Sequence, residues 1–84
     1  MNRITKDSIE AAYCFFHQKW QVYKFSGSQL QKEEIEYAIS SYVEAMSSEL
    51  YNQLAAGHAD FLLSHQTFAT DMEEAVHELE TMMK

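Results

Sequence analysis

Glu74 and His77 stand three residues apart, the Glu-x-x-His step from which di-iron carboxylate bundles are built. Such a centre needs a second step of the same kind and two further inward carboxylates. Neither is found, so the pair is expected on a solvated helix face. His77-Glu78 also opens like a zinc-protease motif, but Thr81 occupies the place of the second histidine. Cys14 and His17 are close enough on a helix to touch. Cys14, however, has apolar neighbours in sequence, which favour the unreactive thiol. No glycine-rich phosphate loop is present, and the serines lack a neighbouring base. The chain is therefore expected to bind no metal or other cofactor and to catalyse nothing.

Among the histidines, His65 falls on an apolar stripe, that of the third segment, between Phe61 and Phe68. It is expected to be a core or interface histidine, and a candidate pH-sensitive one. Burial would move its titration across the physiological range. A buried neutral imidazole would then cost stability on acidification near pH 6.

The elements that must carry these groups follow from punctuation. The 84 residues include no proline and only two glycines, Gly27 and Gly57, which divide one domain (1–84) into three long segments. In the first, Thr5 or Asp7 can cap a helix over about 6–25, Asp7 having Glu10 three residues on. Ser28, with Gln31 three residues later, restarts a helix over about 29–56. Its core stripe is Leu30, Ile35, Ile39, Tyr42, Val43, Met46, Leu50 and Leu54, and Gly57 ends it. Ser40, Ser41, Ser47 and Ser48 are poor helix formers, so packing must hold this helix. The third segment carries Phe61, His65, Phe68, Met72, Ala75, Leu79 and Met82 at alternating spacings of four and three, which predicts one helix over about 59–83. A break near Ser64–Thr67, with Thr70 as a new cap, would add a short fourth helix. The expected fold is all-α, a small antiparallel three-helix bundle.

Net charge is −7, unevenly spread. Residues 1–27 sum to +2 (four cations, two acids), residues 28–57 to −4 (one cation, five acids) and residues 58–84 to −5 (one cation, six acids). This layout speaks against nucleic acid, whose backbone needs a clustered basic footprint. The acids of the second and third helices, from Glu33 to Glu49 and from Asp71 to Glu80, read as solvated faces that could also steer a basic protein partner. No stretch approaches the roughly 20 apolar residues of a membrane helix. The polar start and the single cysteine point to a cytoplasmic protein without an intrachain disulfide.

The first helix departs from a one-sided pattern. Ile9, Tyr13, Phe16, Trp20 and Tyr23 form one apolar stripe; Ala11, Cys14, Phe15, Val22 and Phe25 lie on roughly the opposite side. A helix wedged between two neighbours would use both internally. A spare stripe would instead mark an interface, most simply a homodimer. The expectation is thus a small acidic interaction protein self-associating through helix one. The alternative is an inhibitor, antitoxin-like protein or nucleic-acid mimic that binds a basic protein.

Overall fold

The computed structural model describes residues 4–84 and contains four helices, α1 (Lys6–Phe25), α2 (Gln29–Ala45), α3 (Ser48–Ala55) and α4 (Phe68–Met82). The all-α bundle expected from sequence is therefore present, with different helix boundaries after Gly27.

Thr5, not Asp7, caps α1. Its Oγ1 accepts from the Ser8 amide at 3.0 Å, and the Ser8 hydroxyl oxygen accepts from the Thr5 amide at 2.9 Å. This reciprocal pair satisfies two donors that a helix start leaves open. Asp7 lies in the first turn and Lys24 in the last, each where the helix dipole favours its charge. Ser26–Ser28 reverse the chain, and Ser28 caps α2 by accepting from the Gln31 amide at 3.2 Å. The chain needs no left-handed residue here, because Ser26 is extended and the Ser26 hydroxyl donates to Gln31 Oε1 at 2.6 Å.

The helix predicted over 29–56 is broken at Met46-Ser47. Met46 is extended, and the Ser47 hydroxyl accepts from the Leu50 amide at 3.3 Å as the cap of α3. A serine side chain competes with helical hydrogen bonding in this way, and the bend turns Leu50, Leu54 and Ala55 into the core. The fourth helix thus comes from the second segment rather than the third. Ala56 (φ 50°) and Gly57 (φ 83°) then reverse the chain in the left-handed region, which Gly57 adopts without a Cβ clash.

The helix predicted over 59–83 is corrected as well. Residues 57–67 form turns, and α4 begins at Phe68, behind Thr67 rather than Thr70. Side chains from flanking helices take over the backbone bonding there. The Tyr51 hydroxyl donates to the Phe61 carbonyl at 2.7 Å. Asp71 Oδ2 accepts from the Leu62 amide at 2.9 Å and from the Thr67 hydroxyl at 3.1 Å. Asp71 is buried, so it is no part of an acidic surface, and its Oδ1 has no protein partner. Asp60 and Leu62 have positive φ, a strained state for leucine that is held by its buried side chain and by Asp71.

The core is built from Ala12 and Phe16 of α1, Ile35, Ile39 and Val43 of α2, Leu50 and Leu54 of α3, Phe61 and Leu62 of the turns, and Phe68, Met72, Ala75 and Leu79 of α4. Tyr23 near the end of α1 meets Phe68 at the start of α4, with ring centroids 5.0 Å apart, while Ile9 and Met82 line a common cleft at the other end. The two helices are therefore antiparallel, and α1 lies between α4 and α2. At 36 × 24 × 18 Å the molecule is about two helices thick. Each helix consequently keeps one side uncovered.

Candidate interaction surface

Four of the six exposed large apolar side chains among the described residues belong to the α1–α2 hairpin. Val22 is 41% exposed, Phe25 79%, Leu30 68% and Tyr37 77%. On α2, Leu30 and Tyr37 are seven residues apart, close to two full turns, so they share a face with Glu34 between them. That face lies well off the buried Ile35–Ile39–Val43 stripe. Between the helices runs a shallow groove of about 390 Å³, lined by Gln18, Lys19 and Val22 of α1 and by Gln31, Glu34 and Ile35 of α2.

The five residues singled out on helix one divide. Ala11, Cys14, Val22 and Phe25 are exposed. Phe15 is drawn inward, stacked on Tyr42 of α2 with centroids 4.5 Å apart and planes 14° from parallel. Cys14 is not sheltered among apolar side chains, and the His17 ring stacks on Tyr13 at 5.3 Å. Leu30 belongs to the surface rather than the core, and Tyr37 was missed. The signal was available: at 100° per residue, Leu30 is roughly 140° from Ile35 and cannot share its stripe.

His65 is not in the core. It is exposed, and its Nδ1 lies 2.9 and 3.0 Å from the two carboxylate oxygens of Glu36 on α2. The Tyr23 hydroxyl of α1 donates to Glu36 Oε2 at 3.3 Å. This clasp ties α1, α2 and the 57–67 turns together. The hydrogen bond to Glu36, and then the carboxylate's charge, raise the His65 pKa above its ordinary 6.5. Burial foremost, with help from Glu36, raises that of Tyr23.

His58 and His77 line a wide cleft between α3 and α4, about 720 Å³, together with Glu73, Glu74 and Glu78. Among the described residues, no three histidine, cysteine or carboxylate side chains are placed to hold one metal ion. No described helix is long and apolar enough to cross a membrane. Comparison with protein-family models, with curated proteins and with solved structures yields no match, so the functional reading rests on this geometry.

Proposed function

We propose that the chain is a non-catalytic interaction protein that self-associates through the outer face of its α1–α2 hairpin. The observation that carries this reading is the exposure of four large apolar side chains on the two helices of one hairpin, Val22 and Phe25 in the last turn or so of α1 and Leu30 and Tyr37 on one face of α2. At roughly 200 Å² per aromatic side chain, the exposed parts of Phe25 and Tyr37 alone amount to about 300 Å². With Val22 and Leu30 added, the patch reaches the size that marks interaction sites on small proteins. A twofold dimer is the simplest way to cover such a face. A cytoplasmic setting suits the exposed single thiol of Cys14, which stays reduced there. The test is solution mass by light scattering over a concentration series. The expected mass is twice 9.8 kDa, reverting to 9.8 kDa in a Val22→Glu, Tyr37→Glu double variant. A wild-type chain that stays monomeric at millimolar concentration contradicts the reading.

A second reading is favoured by the charge layout. Eleven of the thirteen acids lie between residues 33 and 83, a stretch without lysine or arginine. The α3–α4 cleft sets Glu73, Glu74 and Glu78 beside Leu54 and Ala55, a combination suited to a basic amphipathic segment of a protein partner. This reading requires a partner whose affinity falls with salt and with a Glu74→Lys, Glu78→Lys variant, and it fails if binding ignores both.

A further inference from the structure

Resting on the self-association reading, we infer that the dimer's twofold axis runs along the α1–α2 groove, so that each protomer's α1 lies over its partner's α2 and Lys19 faces the partner's Glu34. Lys19 and Glu34 line opposite walls of the groove, six residues before the end of α1 and five after the start of α2, which at about 1.5 Å per residue sets them at similar distances from the turn. Among the described residues the one side-chain ion pair within 4.0 Å is His65–Glu36; Lys19 makes no ion pair, its ammonium lying over the Phe15 ring 5.5 Å from the centroid, and Glu34 makes none.

A twofold axis lying in the plane of the patch can run along the two helices or across them. The first exchanges the walls: α1 of one copy covers α2 of the other, and height along the groove is preserved. Two Lys19–Glu34 pairs then form, one on each side of the axis. The second stacks α1 on α1 and α2 on α2. On α1, Lys6, Lys19 and Lys24 against Asp7 and Glu10 leave +1; on α2, Lys32 against Glu33, Glu34, Glu36 and Glu44 leaves −3. Stacking like on like therefore sets acidic α2 against acidic α2, while the exchanged arrangement sets opposite charges together. The apolar side chains make the same choice. Val22 and Phe25 end α1 and Leu30 begins α2, so all three crowd the turn end of the hairpin. An axis along the groove brings the two turn ends together and covers Phe25 and Leu30 of both copies. An axis across the groove at its middle sends each turn end to the far end of the other copy.

The test is charge reversal read as dimer dissociation in low salt. Lys19→Glu alone or Glu34→Lys alone places like charges at both pairs and is expected to weaken dimerisation at least tenfold. Mixing the two single variants restores both pairs in the heterodimer, so tight association returns on mixing, as it does in the Lys19→Glu, Glu34→Lys double variant. A pair confined within one chain gives no rescue on mixing. If wild type dimerises and the single reversals leave its dissociation unchanged, the axis is wrong while self-association stands. If wild type is a monomer throughout, the underlying reading fails with it.

Discussion

Replacing Asp71 with alanine is expected to be among the most damaging single changes at a polar residue. The carboxylate is buried and supplies acceptors for the buried Leu62 amide at 2.9 Å and for the Thr67 hydroxyl at 3.1 Å. Alanine leaves the Leu62 amide without a partner, at roughly 1–3 kcal/mol for a buried donor. The Thr67 bond and the space vacated by the carboxylate add to this, for a total of about 3 kcal/mol. At roughly 0.05–0.15 kcal/mol per residue the whole chain holds about 4–13 kcal/mol, so the loss is a large share. It corresponds to a Tm drop of about 12–24 °C for a domain of this size. Asp71→Asn keeps one oxygen for both donors and sets its amide at the Oδ1 position, which has no partner to lose. It should lose less than half as much. Thermal unfolding by circular dichroism measures the totals. Amide hydrogen exchange reports the Leu62 N–H directly, and its protection should collapse in the alanine variant while that of Ile39 persists. An alanine variant melting with wild type, or an asparagine variant as damaged as alanine, would refute the assignment of the 57–67 fold to these two bonds.

The His65–Glu36 clasp has a defined sign in pH. Because the folded pKa of His65 lies above its unfolded value, the clasp stabilises fully below about pH 6.5, as long as Glu36 remains ionised, and its contribution disappears as pH rises through the folded pKa. This is opposite to the loss on acidification expected for a buried histidine. Urea midpoints of wild type and His65→Ala should differ most near pH 6 and converge as pH rises; a gap that widens with pH contradicts the clasp. The glycines make a matched pair: Gly57→Ala, at φ 83°, should destabilise by about 1 kcal/mol, whereas Gly27→Ala, outside the left-handed region and with open space around it, should be neutral or gain up to about 1 kcal/mol. Equal unfolding free energies for the two variants would remove the left-handed constraint at Gly57.

Local periodicity served well where a helix packs along its whole length. The limits of α1 and the start of α2 follow from Thr5 and the two turn serines, Ser26 and Ser28, and the Ile35–Ile39–Val43 and Met72–Ala75–Leu79 stripes are core. It failed where distant side chains replace helical bonds. Phe61, His65 and Phe68 keep helical spacing in the sequence, but Tyr51 and Asp71 reach the Phe61 carbonyl and Leu62 amide from ten and nine residues away. Once 57–67 is held as turns, Phe61 and Leu62 both point inward and His65 falls outside, against Glu36. The Met46-Ser47 break left a visible trace in the serine pairs, whose preference for caps over helix interiors decides the matter once a bend can bury Leu50 and Leu54. The surface was half legible. Val22 and Phe25 stood out as surplus on helix one, but Phe15 has the partner Tyr42, and the other half of the patch lies on α2. That half was legible in the α2 periodicity, where Leu30 and Tyr37 share a face well away from Ile35, but its place beside Val22 and Phe25 depends on how the two helices pack.

The most direct test of self-association through the α1–α2 face is concentration-dependent chemical-shift mapping by NMR, well suited to a 9.8 kDa chain. From micromolar to millimolar protein, signals of Val22, Phe25, Leu30 and Tyr37 should move together along one binding curve, with Ala55, Glu74 and His77 stationary. Shifts confined to the α3–α4 cleft, or a spectrum that does not change with concentration, would contradict it.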